Sequence, residues 1–134
     1  MKKFLALAIS LIAILVCAFV VACGKSPVTA DENTVFITAS DKSYNDKTLL
    51  EYMNHLQDEG DLTFEIKDGM VTSMNGKSNT TNSFWMLYTD DSENANEAWG
   101  TFEHEGVIYG SAVSGVGELK IKENCKYIWT YQTF

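Results

Sequence analysis

The stretch TLLEYMNHLQDEGDLTFEIKDGMVTSM, residues 48–74, decides the fold of this chain. Thr48 and Glu51 have the spacing of a capping box, in which the threonine hydroxyl and the glutamate carboxylate each accept a hydrogen bond from a free backbone amide. Apolar side chains then recur at helical spacing and Gly60 supplies a typical stop; the stripe comprises Leu49, Met53 and Leu56. These residues predict one amphipathic helix over 48–59.

The second half of the same stretch has the alternation of a β-hairpin. Leu62, Phe64 and Ile66 alternate with polar residues, as in a strand with one buried face. Asp68-Gly69 then provides a two-residue turn into residues 70–74. The sequence therefore predicts a helix followed directly by a hairpin.

Further strands are predicted on both sides of this unit. β-Branched and aromatic residues are concentrated in several short runs separated by polar loops, and Glu105-Gly106 forms a second turn. The predicted strands lie at residues 34–39, 84–88, 99–102, 107–109, 119–121 and 127–131. Residues 40–46, 75–83 and 89–97 are predicted as loops. One helix with six or seven strands places the chain in the α+β class.

The N-terminus has the layout of a secretory signal. Lys2 and Lys3 precede an uncharged apolar run that reaches Ala22, and Cys23 follows between small residues. Small residues before a cysteine resemble the lipobox of bacterial lipoproteins, in which a peptidase cuts ahead of a lipid-modified thiol. The alternative is an uncleaved signal anchor in which Cys23 is an ordinary thiol.

The lipobox interpretation fixes the organisation and location of the protein. Residues 1–22 are the signal peptide, residues 23–33 are the lipid anchor and tether, and residues 34–134 are the domain. Several acyl chains on Cys23 would hold the domain firmly, because each buried CH₂ contributes about 0.8 kcal/mol. We therefore expect an extracytoplasmic protein, lipid-anchored to the bacterial cell membrane.

Charge and cysteine content exclude some partners and cross-links. Without residues 1–22 the chain has eight lysines and no arginine against 18 acidic residues, a net charge of −10. Nucleic acid is a poor partner for such a surface, because phosphate binding needs clustered cations. Cys17 leaves with the signal and Cys23 carries lipid, so Cys125 remains alone and forms no disulfide within the chain.

Candidate catalytic and metal sites are weak. The only histidines are His55, on the polar side of the helix, and His104, which stands between two glutamates in a turn. Residues 90–94 resemble the start of a Ca²⁺ loop, but Ala95 and Thr101 replace its glycine and bidentate glutamate. Cys125 has no histidine at a recognisable spacing. We expect neither a bound metal nor an enzyme.

Five short motifs follow one another between residues 47 and 131. They are Thr48-Leu49-Leu50-Glu51, Val71-Thr72-Ser73-Met74-Asn75-Gly76, Ser83-Phe84-Trp85-Met86-Leu87-Tyr88, Gly115-Val116-Gly117-Glu118-Leu119 and Tyr127-Ile128-Trp129-Thr130-Tyr131. The series resembles the domain of unknown function numbered 4430, which is similar to the C-terminal domain of transcobalamin and intrinsic factor. The resemblance implies a β-grasp-like domain with one helix packed on a mixed or antiparallel sheet.

The same resemblance implies a ligand-binding surface. In the cobalamin carriers, the loop after the hairpin beside the helix and the loops around the tryptophan strand approach a corrinoid. The equivalent residues here are Asn75, Gly76, Lys77, Trp85, Gly115, Val116 and Gly117. Cobalamin is therefore a candidate ligand. The segment 94–114, with its predicted hairpin, is longer than the link found in the carriers.

Two functions remain open. The first is capture of a small molecule such as cobalamin near a transporter, which predicts a concave apolar pocket bordered by Trp85 and the 75–83 loop. The second is a protein-interaction or surface module without a small ligand. That function predicts a flat exposed aromatic patch or an open sheet edge.

Overall fold

A computed structural model describes residues 26–134; the predicted signal peptide and Cys23 lie outside the described residues. Its strands are β1 Val28–Ala30, β2 Thr34–Thr38, β3 Phe64–Lys67, β4 Met70–Met74, β5 Lys77–Ser78, β6 Ser83–Thr89, β7 Ala95–His104, β8 Val107–Ala112 and β9 Lys126–Thr133. Helix α1 spans Leu49–Asp58 and a 3-10 helix spans Lys42–Tyr44. No helix in this part of the chain is both long and apolar enough to cross a membrane.

The strands form two antiparallel sheets. One has six strands in the order β1-β2-β9-β6-β8-β7, and the other has three in the order β3-β4-β5. Every strand pair in residues 26–134 is antiparallel. Over residues 26–134 the structure is mostly antiparallel β-sheet with one α-helix, which fits the predicted α+β class.

Helix α1 begins at the predicted capping box. The Thr48 hydroxyl accepts from the Glu51 amide over 3.2 Å, and the Glu51 carboxylate accepts from the Thr48 amide over 2.9 Å. The predicted apolar stripe is buried and also includes Tyr52; its residues Leu49, Met53 and Leu56 are at most 1% exposed. The helix is therefore fixed by local capping and by burial of one face.

Three hairpin turns each consist of a polar residue followed by glycine, both at positive φ. This conformation matches the twist of the flanking strands and favours Asn-Gly and Asp-Gly pairs. The dipeptides are Asp68-Gly69, Asn75-Gly76 and Glu105-Gly106. The first and third confirm the predicted turns. Asn75-Gly76 was expected in a loop and instead joins β4 to β5.

One face of the six-stranded sheet carries the main core. Val35, Ile37 and Trp129 from this sheet pack in one cluster with the buried stripe of α1 and with Val71 and Met74 of β4. The Tyr52 hydroxyl also donates to the Thr38 carbonyl over 3.0 Å, which links helix and sheet. The helix and the small sheet therefore cover the same side.

The β7–β8 hairpin folds back over the opposite face. The ring centroids of Phe102 on β7 and Phe36 on β2 lie 6.4 Å apart. In a flat sheet, the four strand spacings between β2 and β7 would separate them by about 19 Å. A register shift between Asn96 and Thr101 interrupts β7 near Gly100, whose φ is 147°. The bent hairpin covers a second apolar cluster of Tyr88, Tyr109 and Ile128.

The structure also corrects the predictions for residues 23–33 and 119–121. The expected tether over residues 23–33 contributes β1, which pairs with β2 and buries Val28, so the folded part begins before residue 34. Residues 119–121 do not form a strand. Leu119 and Ile121 are buried, but their backbone bonds reach the start of α1, where the Leu49 amide donates to the Leu119 carbonyl over 2.8 Å.

Candidate functional site

A groove of about 180 Å³ opens beside the central strands of the six-stranded sheet. The β3–β4 turn, strand β6 and the loop after β8 form its walls. Its apolar lining includes Met70, Val71, Trp85, Leu87, Val116 and Trp129. Ser111 and Ser114 add hydroxyl groups at its border. The groove can hold an apolar group with a few polar contacts around it.

Trp85 is a wall of this groove rather than an open stacking surface. The side chain points to the main core because residues alternate along β6, and it is 6% exposed. Its Nε1 donates to the Lys77 carbonyl over 2.8 Å, and its ring lies 5.2 Å from that of Tyr131. Most of the indole surface is therefore buried in contacts within the domain.

Gly115 and Val116 line the same groove from a loop that is tied to α1. The Val116 carbonyl accepts from the Leu50 amide over 2.9 Å, and the Gly115 carbonyl accepts from the Leu119 amide over 2.9 Å. A Cβ at Gly115 would lie 3.7 Å from the Gly69 carbonyl oxygen. A larger side chain at this position would therefore enter the groove between two loops.

The other sequence-predicted residues lie elsewhere. Asn75 turns the chain between β4 and β5, and its side chain accepts from the Thr63 amide over 3.1 Å. Gly76 lines a separate cavity of about 320 Å³ with Gln57 and Phe64. Gly117 is absent from the groove lining. The structure thus brings together Trp85, Gly115 and Val116 but not the 75–83 loop.

Sequence reasoning missed the other residues of the groove lining, Met70 and Trp129 among them. Met70 is 63% exposed at its rim, directly after the Asp-Gly turn. Trp129 lies in the wall, and its buried Nε1 has no hydrogen-bond partner in the described chain. The alternation of β9 could have placed Trp129 with Tyr127 on the core side, whereas the position of Met70 depends on how the small sheet docks.

The size of the groove limits its ligand. Pockets that enclose a drug-sized ligand measure roughly 300–1,000 Å³, and this groove measures about 180 Å³. It can therefore enclose a small apolar ligand or one apolar edge of a larger one. A corrinoid would remain largely outside it.

Cys125 and His104, the titratable candidates from the sequence, both lie in structural surroundings. Burial raises the pKa of the Cys125 thiol, assisted by the nearby carboxylates of Asp90 and Asp91, so its reactive thiolate is disfavoured at neutral pH. The His104 ring stacks 4.6 Å from Phe36. Among residues 26–134, no three His, Cys, Asp or Glu side chains are grouped to hold a metal.

The segment that resembles a Ca²⁺ loop is organised by a lysine. Asp91 is 3% exposed, and its carboxylate accepts from the Asn94 side-chain amide over 2.6 Å. The Lys122 ammonium lies 3.7 Å from Asp91 and also pairs with Glu93. The Lys122 ammonium thus neutralises part of the negative charge of Asp91 and Glu93.

Exposed apolar side chains lie on the β7–β8 hairpin. Trp99 is 66% exposed and Ile108 is 52% exposed. Trp99 lies in the segment 97–100, where the register of β7 shifts, and Ile108 pairs with Glu103 nearer the hairpin turn. Strands β1 and β7 are also the open edges of the large sheet.

Comparison with models of protein families, with curated proteins and with solved structures found no match.

Proposed function

We propose that this chain is a bacterial lipoprotein, anchored through Cys23 to the outer side of the cytoplasmic membrane, with a non-catalytic binding domain. The apolar run ending at Ala22 and the following cysteine support the anchor. The helix packed against an antiparallel sheet supports the proposed β-grasp-like relationship to the domain family numbered 4430. The proposal assigns the domain a binding role outside the cytoplasm.

The groove is the observation that carries the binding role. Three residues suggested by the resemblance, Trp85, Gly115 and Val116, meet there although 31 positions separate the last from the first. Their surroundings are mainly apolar, and the exposed Met70 side chain adds an adaptable edge. The function supported best is capture of a small apolar ligand, or of one apolar edge of a larger ligand such as cobalamin.

A ligand screen tests this proposal. The acylated protein is purified in detergent, and its melting temperature is followed by tryptophan fluorescence with cobalamin and with small aromatic and aliphatic compounds. A ligand that binds only the native state must raise the melting temperature. A concentration-dependent rise supports capture, and no rise with any compound counts against it.

Two glycines provide matched variants for locating the bound ligand. Gly115→Leu should fill the groove and abolish the thermal shift. Gly117→Leu is two residues away, where an added Cβ meets nothing within 4 Å, and should preserve it. A thermal shift that persists in folded Gly115→Leu protein would place the ligand outside this groove.

The exposed apolar side chains of the β7–β8 hairpin favour one second function, a protein-interaction module. Trp99 and Ile108 expose apolar area on this antiparallel hairpin, as interface residues commonly do. A photo-crosslinking amino acid at position 99 tests this function in living cells, with exposed position 81 at the far side as control. A discrete adduct at position 99 alone supports it, and identical patterns at both positions oppose it.

A further inference from the structure

The start of the described chain lies next to the tip of the β7–β8 hairpin. The Pro27 carbonyl accepts from the Thr38 amide over 2.9 Å, which fixes the chain just before β1. A cleft of about 260 Å³ beside this point is lined by Thr29, Phe36, Thr38, His104, Glu105 and Lys126. The hairpin turn and the entry of the chain therefore share one end of the domain.

The length of the tether determines how far this end can be from the membrane. Four residue steps connect Cys23 to Pro27. Even fully extended, four steps span at most about 14 Å. A lipid on Cys23 would thus keep Pro27, and the hairpin tip beside it, close to the bilayer surface.

We propose that this end of the domain rests on the bilayer, with Val107 and Ile108 against the lipid headgroup region. This orientation rests on the proposed lipid anchor at Cys23. The two side chains are 45% and 52% exposed, directly after the hairpin turn. They are apolar residues placed where a tethered membrane is the nearest surface.

The charged residues around the hairpin tip have both signs, so the attraction between tip and bilayer comes mainly from the apolar side chains. Glu105, Lys126 and His104 line the cleft, and the His104 ring lies 3.7 Å from the Glu105 carboxylate. Glu103 directly precedes His104 on β7. This mixed set gives no net cationic surface for anionic lipids. Insertion of Val107 and Ile108, together with the short tether, therefore determines the orientation.

The other end of the large sheet provides an internal reference. Ser83 on β6 pairs with Thr133, at the end of β9 remote from Lys126. Seven residue steps along β9 separate the two ends by about 24 Å. Exposed Thr81, two residues before Ser83, should therefore lie well above the membrane.

Depth-dependent fluorescence quenching tests this orientation. The acylated protein with Cys125→Ser receives one fluorophore through Val107→Cys or, as control, Thr81→Cys. It is reconstituted into phosphatidylethanolamine–phosphatidylglycerol vesicles with a headgroup nitroxide quencher. We expect loss of fluorescence at position 107 and little loss at position 81. Equal quenching, or stronger quenching at 81, would overturn the orientation.

Matched charge substitutions show whether the apolar tip makes the contact. Ile108→Asp in the labelled protein should reduce quenching at position 107. Phe134→Asp, at a residue that is 73% exposed at the remote end, should leave it unchanged. Mass spectrometry of each sample separates two failures: absence of acyl mass refutes the anchor and this orientation together, whereas acylated protein with uniform quenching refutes the orientation alone.

Discussion

The Trp85 indole N–H donates to the carbonyl oxygen of Lys77 over 2.8 Å and thereby joins β6 of the large sheet to β5 of the small sheet. The same indole also lines the groove. Because the two sheets meet at this bond, the shape of the groove depends on a residue that also stabilises the core. Substitutions at Trp85 must therefore be measured for stability before they are interpreted as loss of ligand.

Trp85→Ala should lower the free energy of unfolding by about 3–5 kcal/mol, because it empties a large core position. Trp85→Phe keeps most of the ring but leaves the Lys77 carbonyl without its donor, and should cost about 1–3 kcal/mol. Urea unfolding followed by circular dichroism measures both changes. Trp99→Ala is the control, since a side chain that is 66% exposed should change stability by less than about 0.5 kcal/mol. Equal effects at Trp85 and Trp99 would contradict the assignment of Trp85 to the core.

The elements that depend on neighbouring residues could be predicted from the sequence. The Thr48–Glu51 capping box and the Asp68-Gly69 turn each act over a few residues, and both occur as predicted. Alternation along β6 also puts Trp85 and Leu87 on one face, which the structure buries. Local hydrogen bonds and side-chain periodicity carry this information.

The elements that depend on distant partners could not be predicted. Val28 belongs to a short edge strand that forms only because β2 is there to pair with it. Leu119 alternates like a strand residue but packs through a loop against α1. The contact between Phe36 and Phe102 requires β7 to bend over the sheet, and no local pattern encodes that bend.

The candidate site could be predicted only in part, because it too depends on contacts between distant residues. Trp85, Gly115 and Val116 meet in the groove, whereas Asn75 and Gly76 form a turn outside it. An Asn-Gly pair is itself a strong hairpin signal, and it could have been recognised from the chemistry of the turn. The docking of the β3–β4 turn beside Gly115 had no comparable local signal.

Cys23→Ser tests the proposed anchor. The substitution removes the thiol that would carry the lipid, so labelled fatty acid should no longer be incorporated in cells and the signal should remain uncleaved by the lipoprotein peptidase. Cys125→Ser is the matched control and should leave labelling unchanged. Continued labelling of the Cys23→Ser protein would show that the anchor is assigned to the wrong residue.

Glu51→Gln should reveal a pH-dependent part of the helix cap. The pKa of Glu51 lies below its ordinary value because the carboxylate accepts from the Thr48 amide. A lowered carboxyl pKa stabilises the fold fully above the ordinary value, about 4.3, and this contribution disappears as the pH falls through the lowered folded-state value. The unfolding free energies of wild type and variant should therefore differ at neutral pH and converge in acid. A constant difference at all pH values would contradict the cap assignment.

Leu49→Asp tests burial of the same helix. Leu49 is fully buried, so an aspartate there loses its water without gaining a partner and should prevent stable folding. Thr48→Ala removes only the capping hydroxyl and should cost about 1 kcal/mol. Thermal unfolding distinguishes the two. Small and equal effects would mean that residues 48–59 are not packed against the sheet.

Gly110→Ala tests how the β7–β8 hairpin is held on the sheet. An added Cβ would lie 3.0 Å from the Ala95 Cβ and 3.2 Å from the Glu97 amide nitrogen, so the backbone of β7 must move. We expect a loss of about 1–3 kcal/mol in unfolding free energy, as for other overpacked sites.

Two variants make this prediction specific to the hairpin contact. Gly117→Ala meets nothing within 4 Å and has no positive φ, so it should be neutral or slightly stabilising. Ala95→Gly removes the closest atom, and in the Gly110→Ala background it should recover part of the lost stability. Glycine at position 95 also weakens the strand by itself, so recovery should be incomplete. Because the clash is relieved, the double mutant should still be more stable than the sum of the two single changes predicts. Additive losses measured by urea unfolding would show that the Cβ added at position 110 does not press on the Ala95 side chain.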